Sequence, residues 1–142
     1  MSRKLFTTGC GVLVALGLVH LLGHYMMTTS QGETEQERQL LALMRSNPQD
    51  MGLGFMRTTS DILSGFSLYF SMSSLGLALI GLVVRRHAGA APGLLRQTAI
   101  AYAATYGVAT AVGLRYWFPA PLFFLVLVFL CFAAAVATAP RA

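Results

Sequence analysis

The stretch "PLFFLVLVFLCFAAAVATA" (121–139) decides the fold. It carries no charge along its whole length. A helix needs about 20 apolar residues to cross the hydrocarbon of a bilayer. A helix that is apolar on every side cannot face water, so lipid or protein must surround it. The rest of the chain has the same character. Of 142 residues, 56% are hydrophobic and 11% charged, against about 25% charged in a soluble domain. The mean hydropathy is +0.65. That leaves too little charge to cover a water-exposed surface, and the natural solvent is lipid.

Four segments have the length to span: about 5–27, 61–84, 95–114 and 119–139, in one integral membrane domain covering 1–142. The predicted fold class is all-α, a four-transmembrane-helix bundle with a short extracytoplasmic amphipathic helix between the first two spans. The third span contains "QTAIAYAATYGVATAVG" (97–113). Its residues are small, and small residues let helix backbones approach closely in membranes. It therefore reads as an interior helix with little lipid contact. The fourth, nearly free of polar groups, is expected on the outside of the other three. The first follows Arg3 and Lys4 as a signal peptide would. Its apolar run is long, however, and "HYMMTT" (24–29) is no small-x-small cleavage pattern. "TTGC" (7–10) has only Leu5 and Phe6 as an apolar lead, too short for a lipid-modified Cys10. The segment is expected to be a true span.

The net charge of +5 sits beside the apolar runs, as topology requires. No basic helix and no aromatic–basic alternation suggests nucleic acid. Arg3, Lys4, Arg85, Arg86, Arg96 and Arg141 fall on one side without an acid. Arg38, Arg45, Arg57 and Arg115 fall on the other with Glu33, Glu35, Glu37, Asp50 and Asp61. By the excess of basic residues on the cytoplasmic side, both termini are expected in the cytoplasm and the loop 28–60 outside. In that loop, "TEQERQLLALMRS" (34–46) has the Thr34–Glu37 spacing of a capping box. Leu40, Leu41 and Met44 can face apolar surface, and the helix reads as a lid or spacer in preference to a partner-docking element. "SNPQDMGLG" (46–54) ends the helix with Pro and Gly. His87, in the basic turn "RRHAGAAPG" (85–93), reads as a solvated loop residue.

Helical periodicity assigns faces. Ser60, Ser64, Ser67, Ser71 and Ser74 form one stripe on the second span. Beside it lie Asp61, Gly65, Met72 and Gly76. Ile62, Leu63, Phe66, Phe70, Leu77 and Ile80 form the opposite, lipid-facing side. Thr98, Tyr102, Thr105, Tyr106, Ala109 and Gly113 share a face of the third span, and Gly9, Leu13, Gly17, His20, His24 and Met27 one of the first. The serines pack helices closely, or they line a polar cavity for a small ligand or headgroup.

His20 and His24 lie one turn apart, near the outer end of the first span. Asp61 opens the second span from that side, Arg57 precedes it, and Arg115 closes the third beside Tyr116 and Trp117. Ionisable groups at membrane depth pair or line wet cavities. A tentative ligand site therefore comprises His20, His24, Asp61, Arg57 and Arg115, with Ser64, Ser67, Tyr102 and Tyr106 below. Its ligand is a lipid, a quinone or an ion. His20, His24 and Asp61 also form a tentative divalent-metal set, and a His–Asp pair can move a proton. Two rings on adjacent turns of one helix cannot take opposite axial positions of one haem iron, although one could ligate it. Scattered methionines, including Met26, Met27, Met51 and Met56, read as packing rather than copper ligands. The first choice is a structural clamp that ties the first two spans together. Cys10 and Cys131 lack any CxxC or zinc spacing and read as buried apolar residues. No nucleotide-binding, hydrolase or haem-attachment motif is present, no internal repeat marks a transporter, and no catalytic residue is assigned.

"GLVHLLGH" (17–24), the outer amphipathic loop and "RTTSDILSGFSLYFS" (57–71) together resemble a group of small four-helix bacterial inner-membrane proteins, DoxX-like in size and layout. The resemblance implies a four-helix bundle in a bacterial inner membrane and brings no assigned activity, cofactor or catalytic residue. The expected function is non-enzymatic: association with itself or with a larger membrane complex through small-residue faces. The alternatives are a membrane oxidoreductase subunit or metal or haem protein using the His–Asp group, and a small transporter subunit.

Overall fold

A computed structural model describes residues 2–89 and 93–139. The elements are α1 (Ser2–Thr29), α2 (Glu35–Ser46), β1 (Pro48–Asp50), β2 (Met56–Thr58), α3 (Thr59–His87), α4 (Leu94–Tyr116) and α5 (Pro119–Ala137). Arg141 and loop residues 90–92 lie outside the described residues. The chain is helical apart from one antiparallel hairpin, in which Pro48 pairs with Thr58 and Asp50 with Met56. Among the described residues, α1, α3 and α5 are long and apolar enough to cross a membrane. Helix α4 has 23 residues but is built from Ala, Gly and Thr, which contribute little hydropathy.

Local chemistry sets the boundaries. Thr34 caps α2 by accepting from the Glu37 N–H at 3.2 Å, while the Glu37 carboxylate accepts from the Thr34 N–H at 3.2 Å. Asn47, Pro48 and the glycines end α2 and turn the chain into the hairpin. Pro119 starts α5, where a missing N–H costs nothing. His87 is the last helical residue of α3 rather than a loop residue, its Nδ1 2.9 Å from the Val83 carbonyl.

The chain divides into two compact units, Met1–Leu18 with Ser73–Ala142, and Val19–Met72. In the first, Phe132 of α5 is fully buried. Its ring meets Phe6 edge-on at 5.2 Å between centroids and Tyr102 at 4.9 Å, geometries that aromatic quadrupoles favour. Leu13, Leu16, Leu125 and Val128 complete this core. Helix α5 thus gives one side, with Leu125, Val128, Phe132 and Ala135, to the core of its unit, while Phe123, Leu127 and Leu130 are exposed on the other. A helix that is apolar all round has no polar periodicity from which to read its inward side. The Tyr102 hydroxyl donates to the Leu77 carbonyl at 2.7 Å, joining α4 to α3.

Helix α4 is not an interior helix. It buries Ala99, Tyr102, Tyr106 and Gly113, but Ile100, Ala101, Ala104, Thr105, Val108, Ala111 and Val112 are exposed. Cys10 and Cys131 are buried free thiols.

The second unit contains the end of α1, then α2, the hairpin and the start of α3. Arg45 of α2 donates to the carbonyls of Thr28 at 3.2 Å and Ser30 at 3.0 Å. It thereby places a cation at the C-terminal end of α1, where the helix dipole favours one. On α2, Leu41 and Met44 are half-buried, while Leu40 is exposed.

Candidate functional site

The polar cluster of the second unit starts from His20. Helical spacing puts His20 and His24 on the less exposed face of α1, in line with the buried Gly9, Leu13 and Gly17. Opposite, the serine stripe of α3 faces inward: Ser71 and Ser74 are buried, and Ser60, Ser64 and Ser67 half-buried. The two meet where His20 Nε2 lies 3.1 Å from Ser67 Oγ. Which partner donates depends on the imidazole tautomer. Ser71 donates to the Ser67 carbonyl at 3.1 Å, so one serine ties the helices while its neighbour bonds within its own helix. The Phe70 ring covers His20 at 4.7 Å between centroids. Phe70, expected on the lipid side, is thus half-buried. Ile62 and Leu77 are half-buried as well, whereas Leu63, Phe66 and Ile80 are exposed as expected. The strip of Asp61, Gly65, Met72 and Gly76 is exposed and does not extend the inward face.

His24 lies one turn from His20. Its Nδ1 is buried, with no hydrogen-bond partner among the described residues.

Asp61 is occupied elsewhere. Its carboxylate accepts from the Thr58 N–H at 2.9 Å and the Thr58 hydroxyl at 2.8 Å, and Thr58 Oγ1 accepts from the Asp61 N–H at 3.1 Å. This reciprocal cap starts α3, and the T-x-x-D spacing that signals it is legible in the sequence. Arg57 donates to the Met56 carbonyl at 2.7 Å and lies 6.0 Å from the Phe55 ring centroid. Among the described residues no three His, Cys, Asp or Glu side chains gather to hold a metal ion, so His20, His24 and Asp61 do not form a ligand set.

Tyr102, Tyr106 and Arg115, also expected in the site, belong to the first unit. Tyr102 and Tyr106 sit in its aromatic core, and the Arg115 guanidinium lies 5.6 Å from the Tyr116 ring centroid. What the structure brings into contact is His20 with Ser67, under Phe70. An imidazole against a hydroxyl can tie two helices or pass a proton. As a nucleophile and base it would need a third group to orient the ring, and the Asp61 carboxylate is already committed to its cap. The covering role of Phe70 and the helix-capping role of Arg45 had no sequence signal, because both depend on partners distant along the chain.

Comparison of the chain with protein-family models, curated proteins and solved structures finds no match. The resemblance to the DoxX-like group rests on the quoted motifs alone.

Proposed function

We propose that the chain is a non-enzymatic subunit or scaffold of a bacterial inner membrane. It forms a four-span bundle that works by lateral association with copies of itself or with a larger membrane complex. The observation that carries this reading is the outward side of α4, where Ala101, Ala104, Thr105, Val108 and Ala111 lie exposed in a row. Twenty-three residues rise about 34 Å at 1.5 Å each, enough to cross the hydrocarbon layer. Rows of small residues let helices close on one another where lipid supplies no hydrophobic drive. Facing lipid, the same row gains little. A poor lipid-facing span is a good protein-facing one.

Crossing by α4 places Arg3, Lys4, Arg85, Arg86 and Arg96 on one side and Arg115 on the other, with the acid-rich loop. That distribution supports cytoplasmic termini. The bacterial setting comes from the resemblance. The His20–Ser67 contact fits a clamp that keeps α1 and α3 in register while the association face does its work.

The test is purification in nanodiscs followed by native mass spectrometry, for the wild type and for Ala104→Leu and Ala111→Leu. The wild type should appear as an oligomer or with a co-purifying membrane protein. The variants should appear as single chains with unchanged helix content and thermal midpoint. A partner-free wild-type monomer, unaffected by either substitution, refutes the reading.

The buried Nδ1 of His24 favours a second role for the same bundle, an outer-leaflet pocket for a quinone, a lipid headgroup or an ion. Buried polar atoms are nearly always satisfied, and a ligand oxygen or a cation would satisfy this one. Mass spectrometry of retained small molecules, with metal analysis, should then find a species that is lost in His24→Ala.

A further inference from the structure

The hairpin between α2 and α3 ends in a loop whose side chains are of the wrong kind for water. Residues 51–57 read "MGLGFMR". Leu53 is 99% exposed, and Met51, Phe55 and Met56 are exposed beside it. The conformation that pushes Leu53 outward is held by the loop itself. The Gly52 N–H donates to Asp50 Oδ1 at 2.8 Å, the Met51 N–H to the Phe55 carbonyl at 2.9 Å, and the Phe55 N–H to the Gly52 carbonyl at 3.1 Å. Gly52, Leu53 and Gly54 all have positive φ, of 91°, 55° and 80°. Glycine adopts this region freely, whereas leucine does so only under steric strain. Between Met51 and Arg57 there is no acidic residue, and the three glutamates of this unit lie on or before α2.

We infer that this loop tip is an interfacial anchor, its Met51, Leu53 and Phe55 side chains inserted at the headgroup–acyl boundary of the bilayer that α3 enters. Three observations point to lipid as the occupant. First, strand β2 runs without a linker into a candidate span, because Thr58 is at once the last strand residue and the cap of α3. At about 3.3 Å per residue, the chain from Leu53 to Thr59 reaches at most about 20 Å. The tip is therefore tethered within about 20 Å of the point where α3 starts, in reach of a polar interface about 5–8 Å thick on each side. Second, the tip is apolar, and of the two charges at its base the Asp50 carboxylate is taken up by the Gly52 N–H, while Arg57 supplies the cation that interfacial segments use against phosphate headgroups. Third, the turn's own hydrogen bonds satisfy the N–H groups of Met51, Gly52 and Phe55, as backbone must be satisfied to leave water.

The inference requires only that α3 spans a membrane. It is independent of what, if anything, associates through α4. If the tip proves to lie in water, the association reading is untouched.

The experiment places a tryptophan at the tip. Leu53→Trp, and separately Phe55→Trp, are made in a Trp117→Phe background and reconstituted into vesicles of phosphatidylethanolamine and phosphatidylglycerol. The fluorescence should be blue-shifted and protected from iodide. Lipids brominated high on the acyl chain should quench it more than lipids brominated near the chain end. Adding Leu53→Asp to the Phe55→Trp protein should shift the emission to the red and restore iodide quenching, with circular dichroism unchanged. Full iodide quenching without lipid quenching would put the tip in water and overturn the inference. Protection from both iodide and brominated lipid would show that protein covers the tip, and would overturn it equally.

Discussion

Gly81 and Gly9 have no side chain because other residues occupy the space. A Cβ on Gly81 would fall 2.7 Å from Cys10 Sγ and 3.3 Å from the Tyr102 ring, and one on Gly9 would fall 2.9 Å from the Phe132 ring. Around Gly11 there is nothing within 4 Å. Gly81→Val should therefore lower stability by about 1–3 kcal/mol, the usual cost of overpacking. Gly11→Ala should be neutral or stabilising by up to about 1 kcal/mol, from helix propensity. Thermal unfolding of both in one mild detergent checks the contrast, and an equal effect at the two sites would contradict this packing. The His20–Ser67 contact calls for a double-mutant cycle, because either single alanine also leaves its partner unpaired. Polar pairs between membrane helices couple by about 0.6 kcal/mol on average, reaching about 1.7 kcal/mol. A coupling in that range between His20→Ala and Ser67→Ala identifies the clamp, and additivity would remove it. At this scale the sequence showed which face His20 and the serines occupy. It did not show which of five serines His20 meets, since that depends on the relative rotation and height of two helices far apart in the chain.

At the scale of the element, α2 is held by its ends. The Glu37 carboxylate accepts from the backbone N–H groups of Glu33 at 2.7 Å and Thr34 at 3.2 Å. These bonds hold its pKa below the usual 4.5, and the nearby Arg38 lowers it further. A carboxyl whose folded pKa is depressed stabilises the folded form fully above the unfolded pKa. It loses that stabilisation as pH falls through the lower, folded value. Protection of α2 amides against hydrogen exchange should thus be constant above about pH 5 and decline below it. In Glu37→Gln the decline should be weaker and the protection lower above about pH 5, converging with the wild type as its carboxyl protonates. A wild-type profile flat down to the folded pKa and beyond would exclude the cap as its source. Arg45 links α2 to the end of α1, and a cation there contributes about 0.3–1 kcal/mol. Arg45→Gln should speed exchange in α2 and in the last turn of α1 while leaving α4 and α5 unchanged. Both caps, Thr34–Glu37 and Thr58–Asp61, have sequence signatures, because their partners are three residues apart and little chain must be ordered to join them. The same economy explains why Asp61 serves its own helix and not the histidines: a neighbouring donor wins over one that needs two spans to be aligned.

At the scale of the whole molecule, the topology turns on whether α4, 23 residues long, crosses the bilayer. If it crosses, its two ends lie on opposite faces of the membrane. Gln97 and Tyr116 are both exposed, so Gln97→Cys and Tyr116→Cys can report on those ends. In intact cells a membrane-impermeant maleimide should label Tyr116→Cys. It should reach Gln97→Cys only after the membranes are opened, and the wild-type protein, with its buried Cys10 and Cys131, supplies the background. Labelling of both sites from the same side would remove the fourth span and the topology built on it.

The sequence by itself determined the apolar surroundings of the long helices, the helical class, the approximate helix bounds (α3 runs on to His87), and the inward faces of the serine stripe and of α1 except at Met27, which is exposed. These follow from hydropathy and from the 3.6-residue period, which are local properties. Tertiary structure decided the rest: that Phe132 brings α5 into the core of its unit, that α4 keeps a small-residue side open, that Phe70 turns in over His20, and that Asp61 stays with Thr58. Each of these depends on which surfaces meet. An all-apolar helix has no marked face to predict it from, and a polar side chain takes the partner its backbone brings nearest.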